Sequence, residues 1–381
     1  MKRMLTAGTA LGLVIAPVAA LAQNSVTLYG VIDEGLNYTN NSAGHSAVQL
    51  ESGFAQGSRW GIKGSEDLGG GTKAIFQLEN GFDVNSGALG QSGRMFGRQA
   101  YVGIASETLG SLTMGRQYDS VVDYLAPLTA NGNWAGYLMA HPYDNDNTDN
   151  SFRLNNSIKY SSKTYGGFSF GGLYGFSNQA GGFANNRAYS LGAQYVGGPV
   201  TIAAAFMQIN QPGSTAGGSL ATDDTAFFAN REQVWGAGIN YTVGSALLGF
   251  VYSHTSLNDA TGSAYVGNFA NTASSLKFDN FEVNAKYQLV KNAFVGAMYN
   301  YTLGHFQSTA GDSTPKWHQI GLMADYNLSV RTDVYIQGMY QHTAGGSAVA
   351  APLNTAFITG ADSPATTANQ FIARIGIRHQ F

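Results

Sequence analysis

Along most of the chain, apolar and polar residues alternate one by one. In 281–287, Phe281, Val283, Ala285 and Tyr287 take one parity and Glu282, Asn284 and Lys286 the other. In 235–241, Trp235, Ala237, Ile239 and Tyr241 oppose Gly236, Gly238 and Asn240, and in 332–341, Val334, Ile336 and Tyr340 oppose Asp333, Gln337 and Gln341. A period of two belongs to a β-strand, with one face suited to an apolar surround and the other to water. Runs of this kind, bounded by Gly, Asn, Asp or Pro, predict 16 strands near 25–38, 48–65, 72–82, 94–106, 111–118, 151–162, 166–177, 187–196, 199–209, 231–241, 244–256, 275–288, 292–302, 316–327, 330–343 and 369–381.

The connections between these runs alternate strictly between short and long. Gly69-Gly70-Gly71, Gly197-Gly198-Pro199 and Asn327-Leu328-Ser329 are short; 119–150, 210–230, 257–274 and 344–368 are long. That rhythm fits a membrane barrel, whose turns are short at one rim and whose loops are long at the other. A soluble β-sandwich has no reason to keep it, and would bury its apolar faces against a second sheet instead. After the N-terminus no stretch has 18 successive apolar residues, so any crossing of a bilayer falls to the strands. Backbone groups in lipid must pair internally, which leaves a closed barrel. The reading is all-β: a 16-stranded antiparallel transmembrane β-barrel with short periplasmic turns and long extracellular loops.

Composition agrees. Only 11% of residues are charged, far below the ~25% usual in soluble domains, while 50 Gly, 21 Tyr and 21 Phe accompany 8 Pro. Tyr29, Tyr38, Tyr160, Tyr252, Tyr299 and Tyr301, near predicted strand ends, are candidates for the aromatic girdles at the two interfaces, although aromatics favour strands in any case. At the N-terminus, Lys2 and Arg3 precede an apolar stretch from Met4 to Ala16, and Ala20-Leu21-Ala22 supplies small residues for cleavage. Residues 1–22 therefore read as an export signal, and the domain proper as 23–381. Loss of Lys2 and Arg3 leaves 18 basic against 23 acidic residues, a net of −5. With no basic run, nucleic acid is an unsuitable partner.

Motifs for bound groups and for covalent chemistry are missing or incomplete. Without cysteine there are no disulfides, thiolate metal sites or thiol nucleophiles. The seven histidines are scattered, none with a second ligand at metal spacing within a predicted strand pair. Asp144-Asn145-Asp146-Asn147-Thr148-Asp149 is superficially like a calcium loop, but Asp149 stands where glycine is needed and Asn155 where glutamate is needed. Gly64 to Lys73 is no phosphate loop, because Gly70 takes the lysine position. No serine sits in a nucleophile elbow. Neither an enzyme nor a cofactor is indicated.

Several stretches carry a family resemblance: Ser25-Val26-Thr27-Leu28-Tyr29-Gly30-Val31-Ile32-Asp33, Ser58 through Gly71 (SRWGIKGSEDLGGG), Arg98-Gln99-Ala100-Tyr101-Val102-Gly103, Gly115-Arg116-Gln117, Asn155 through Tyr160 (NNSIKY), and the ending Gly376-Ile377-Arg378-His379-Gln380-Phe381. Together they resemble the trimeric general-diffusion porins of betaproteobacterial outer membranes. The resemblance implies a homotrimer in outer-membrane lipid that passes small hydrophilic solutes and ions. It also implies a third long loop, 119–150, folded into the lumen with Asp119, Asp123, Asp144, Asp146 and Asp149. Arginines on the facing wall match at Arg59, Arg98 and Arg153.

Parity supports two of the three. Arg59 shares a face with Lys63 while Trp60 and Ile62 take the other, and Arg153 shares one with Asn155, Ser157 and Lys159 while Leu154, Ile158 and Tyr160 oppose them. Arg98 rests on the resemblance. The constriction set is thus Arg59, Arg98, Arg153 and Lys63 against Asp119 and Asp123. A solute about 8 Å from one unit charge in water gains or loses roughly 0.5 kcal/mol, so three arginines favour inorganic or organic anions by about tenfold before screening. Alternatively these arginines pair with lumen carboxylates such as Glu79 and hold the loop. The terminal Phe381 resembles the signal read by the barrel-assembly machinery, or simply belongs to a girdle. A substrate-specific channel, or a receptor or adhesin acting through its long loops, stays open as an alternative function.

Overall fold

Each alternating run pairs antiparallel with its neighbours in sequence. The computed structural model describes residues 25–381; the leader read at 1–22 and the start at Gln23 lie outside the described residues. The strands are β1 (Ser25–Ser42), β2 (His45–Ser52 continued by Arg59–Gly69), β3 (Thr72–Gly81), β4 (Gln99–Ser106), β5 (Gly110–Gln117), β6 (Leu154–Ser161), β7 (Phe168–Gly175), β8 (Ala188–Gly197) and β9 (Val200–Asn210). Then come β10 (Phe227–Phe228 continued by Arg231–Val243), β11 (Ala246–Ser263), β12 (Gly267–Val290), β13 (Ala293–Ser308), β14 (Gly311–Ser313 continued by Lys316–Asn327), β15 (Thr332–Ala344) and β16 (Asn369–Gln380). The last strand pairs with the first, from Val31 opposite Gln380 to Thr39 opposite Ile372. The ladder closes, and no edge is left for lipid to face.

Parity sets the two faces as expected. Trp235, Ile239 and Tyr241 point outward and are exposed, whereas Val234 and Asn240 point inward and are buried. Phe281, Val283 and Tyr287 face out; Glu282 and Asn284 face in. The inner face is less polar than alternation alone suggests. Met207, Ile209, Val251, Leu276, Phe278, Phe306 and Met339 also point inward and are fully buried. They pack against a loop inside the barrel and form one apolar core with it.

Four expectations need correction. Residues 257–274 are not a long loop, because β11 and β12 stay paired to Ser263 opposite Gly267. Above the lipid the outward positions turn polar, so hydrophobic alternation fades while the backbone ladder continues. For the same reason the hairpins at Ala43-Gly44 and between β13 and β14 are tight, and long loops do not follow every outward strand. Strand 48–65 is broken at Gly53–Ser58, where Phe54 and Ala55 turn into the lumen and are buried. Tyr29 belongs to no girdle. It faces the lumen, its hydroxyl donating to Glu79 Oε2 at 2.9 Å and accepting from Gln77 Nε2 at 2.7 Å. Finally, the register sets His318 directly opposite His342 across β14 and β15, so two histidines do share a strand pair.

Candidate functional site

The segment between β5 and β6 enters the barrel as five short helical turns: Val121–Leu125, Ala126–Leu128, Asn131–Ala135, Tyr137–Met139 and Pro142–Asp144. Its apolar side chains seat over inward-facing glycines of the wall. A Cβ on Gly236 would lie 2.6 Å from Leu125, one on Gly192 2.4 Å from Tyr124, and one on Gly296 2.5 Å from the Trp134 ring. Glycine at these positions opens a trough for the loop. Leu125, Leu138 and Met139 are fully buried there, each worth about 1.5–3 kcal/mol against exposure.

Polar anchors fix the same face of the loop. His141 Nδ1 lies 2.7 Å from Asp146 and its Nε2 3.1 Å from Glu282 of β12, all three side chains without exposure. Glu282 also accepts from the Ala130 amide at 2.7 Å, and Gln319 of β14 donates to the Ala140 carbonyl at 3.1 Å. Burial by itself lowers the basicity of His141, but Asp146 and Glu282 outweigh it and push its pKa up to about 10. The imidazolium is a charged rivet between loop and wall.

What this loop leaves open is a cavity of ≈ 580 Å³, mainly against β2 to β6, with Tyr265 and the Asp333-paired Arg378 of β16 also on its lining. Arg59, Arg98 and Arg153 line one side, and Trp134, Tyr137, Asp149 and Asn150 of the loop line the other. Glu79 of β3 accepts from Arg98 Nε at 2.9 Å and stands 3.8 Å from Arg59 Nε. Tyr118 sits between Arg98 and Arg153, its hydroxyl accepting from Arg98 at 2.9 Å and from Arg153 at 3.3 Å. Burial raises the Tyr118 phenol, yet Arg153 and Arg98 outweigh it and bring its pKa below the ordinary value. On the loop side, burial and then Asp144 push the Asp149 carboxyl well above the usual range, against Arg153 and Arg98. Asp149 therefore holds its proton more readily than an ordinary carboxyl does.

The structure brings Arg59, Arg98 and Arg153 together and separates the other members of the constriction set. Lys63 lies further along β2, over the Tyr29 ring and outside the cavity lining. Asp119 is fully buried and caps the first helical turn, accepting from the Val121 amide at 2.7 Å and from Asn147 at 2.7 Å. Asp123 is paired with Lys159; it too is absent from the lining. Arg153 reaches the lumen from just before β6, and Leu154 is buried with it rather than turned to lipid. Parity fails there because Asn156 takes φ +51° and the register slips beside it. Phe381 exchanges two backbone hydrogen bonds of 3.1 Å with Gly30 across the closing seam, its ring against that glycine.

Tyr118, Phe54, Tyr137 and the His141 rivet were not found by sequence reasoning. Phe54 and Tyr137 meet edge to face at 5.5 Å, and the Tyr137 amide donates to the Phe54 carbonyl at 2.7 Å. The break in β2 therefore meets the loop. Its one signal in the chain is the pair Gly53 and Gly57 inside an otherwise regular strand pattern.

Comparison with known proteins places this geometry. The pattern of the Gram-negative porin family matches residues 7–346. The chain is 32% identical to an outer membrane porin protein of Bordetella pertussis, covering 95% of this chain and 96% of that protein. It is 30% identical to outer membrane porin protein 32 of Delftia acidovorans, covering 98% of each. Among solved structures, the anion-selective porin from Comamonas acidovorans superposes with a TM-score of 0.72 at 24% identity, over 94% of this chain and 100% of that one.

Proposed function

The chain belongs to the Gram-negative porin family and is an outer-membrane channel for passive diffusion, and from that premise we propose a general, size-limited pore whose constriction favours anions modestly. The observation that carries the charge preference is the trio Arg59, Arg98 and Arg153 around one ≈ 580 Å³ cavity. Glu79 offsets one of the three charges, so the trio both braces the wall and biases the solute. Two uncompensated charges about 8 Å from the path give roughly 1 kcal/mol, or about sixfold for anions, falling to about twofold at 0.1 M salt. The segment 119–150 is the constriction loop in this reading, with Asp149 rather than Asp119 or Asp123 facing the arginines.

The resemblance also supports a homotrimer, and the outer face offers a place for it. Val26, Leu28, Val48, Leu50, Val102 and Ile104 on β1, β2 and β4 are each more than half exposed, a broad aliphatic surface. Further round the barrel, Trp235 of β10 and Tyr299 of β13 turn aromatic rings toward lipid. Phe381, held at the seam, is suited to recognition by the assembly machinery.

Liposome swelling with neutral sugars of graded size, and with organic anions matched to them, tests the proposal. Rates that do not saturate, fall with size and run about two- to sixfold faster for anions support it. Saturation would indicate a dedicated channel, and equal rates for anions and neutral solutes would remove the charge assignment.

A further inference from the structure

Outside the lumen, the structure brings two imidazoles together on the lipid-facing side. His318 of β14 and His342 of β15 are direct register partners. They share their parity with exposed Ile320 and Leu322 on one strand and exposed Ile336 and Tyr340 on the other. The rings lie 6.2 Å apart between centroids, tilted by 35°. Each is held from its far side. His318 Nδ1 is 2.8 Å from the Tyr299 hydroxyl on β13, and His342 Nδ1 is 2.7 Å from Asn369 Oδ1 on β16. In the strand order β13, β14, β15, β16 those partners flank the pair. Both Nδ1 atoms therefore lean away from the shared space, which turns both Nε2 atoms toward it.

Chemistry agrees with direction. Asn369 Oδ1 accepts from the Tyr340 hydroxyl at 2.7 Å as well, so it is an acceptor toward His342, whose Nδ1 carries the proton and whose Nε2 keeps a free lone pair. A histidine whose second nitrogen is tied to a carbonyl or hydroxyl is the ordinary form of a metal ligand. Tyr299, Tyr301 and Tyr340 around the pair mark the level of a membrane interface, where water supplies the remaining ligands. Among the described residues no group of three His, Cys, Asp or Glu gathers around a metal-sized space.

We propose that His318 and His342 form a cross-strand site for a borderline divalent transition metal, with Cu²⁺ bound more tightly than Zn²⁺. Imidazole nitrogens suit both ions, and the general affinity series sets the order. Lys316, two residues along on the same face of β14 and opposite Ala344, adds a positive charge beside the site that opposes cation binding. The site is independent of the lumen and of what the pore conducts.

The test is titration of the folded full-length barrel with Cu²⁺ and with Zn²⁺ by calorimetry, with electron paramagnetic resonance of the Cu²⁺ form to count nitrogen ligands. Folding of every variant is checked by heat-modifiable migration. One Cu²⁺ site per chain with two equivalent nitrogens is expected, lost in His318→Gln and in His342→Gln and kept in His305→Gln. Asn369→Leu, which leaves both ligands in place, should weaken binding about tenfold or more. Unchanged isotherms in either histidine variant, no binding to the unaltered barrel, or full affinity in Asn369→Leu would each overturn the proposal.

Discussion

Replacing His141 by alanine removes the cation that sits between Asp146 and Glu282, both without solvent exposure. Neither carboxylate is left wholly bare. Asp146 keeps the Thr148 hydroxyl at 2.9 Å and the Ser253 hydroxyl, and Glu282 keeps the Ala130 amide and Asn284, each at 2.7 Å. What they lose is their shared counter-charge, and removing one member of a buried ion pair costs about 3–5 kcal/mol. The loop is also held by Leu125, Leu138 and Met139, buried completely and together worth roughly 5–9 kcal/mol. It should therefore stay in the barrel but open several hundredfold more often, as flickering between conductance levels in planar bilayers at pH 8. Chymotrypsin, which can cut at Tyr124, Trp134 or Tyr137, should nick the variant faster than the parent. Lowering the pH toward 5 should quieten the variant, because an unpaired buried carboxylate then takes up a proton. The parent shifts in the same direction but in a higher window of pH. The His141 pKa is raised to about 10, so its contribution is complete below its ordinary value near 6.5 and is lost as pH rises through 10. Traces and cleavage rates indistinguishable between His141→Ala and the parent at pH 8 would refute the rivet.

Other parts of the molecule give equally definite expectations. Arg374 donates to Tyr335, Asn37, Asp33 and the carbonyls of Gly35 and Glu51 in the fully buried closing seam; Arg374→Met should cost about 3–5 kcal/mol and lower the temperature at which the folded band disappears on a gel, with part of the loss restored by adding Asp33→Asn. In Gly296→Val the new Cβ falls 2.5 Å from the Trp134 ring, so the indole must move into the cavity and single-channel conductance should drop. Gly338→Ala, where the nearest atom is 3.7 Å away, should leave conductance unchanged.

What could be read in advance follows from which forces are local. Lipid on one side and water on the other act on every residue of a spanning strand, so the alternation in 235–241, 281–287 and 332–341 is enough to orient β10, β12 and β15. Where lipid ends that force ends, and the paired extensions of β11 and β12 carry no hydrophobic signature. Contacts made by the inserted loop are legible only as composition. Gly192, Gly236 and Gly296 count toward a high glycine content, but nothing local tells a trough glycine from a turn glycine. The rivet joins residues 141 positions apart, beyond any periodicity. Asp119 and Asp123 open the loop, which is all that points to them in the chain, whereas one caps a helical turn and the other pairs with Lys159 on the wall. Arg153 lines the cavity, but the bulge at Asn156 invalidates the parity argument that points it there. The histidine pair is an intermediate case: His318 stands nine residues before Asn327 and His342 nine after its partner Asp333, so the register of one turn suffices to find it.

The anion preference of the pore is tested most directly by the zero-current potential across a bilayer holding the purified protein under a potassium chloride gradient. Chloride is expected to cross about five times more readily than potassium at 0.1 M salt, because the same field that attracts one ion repels the other; the preference should shrink as salt is raised and be lost or reversed in the combined Arg59→Gln, Arg98→Gln and Arg153→Gln variant, which leaves Glu79 unpaired. A cation-selective potential in the parent, or an anion-selective one unchanged in that variant, would contradict it.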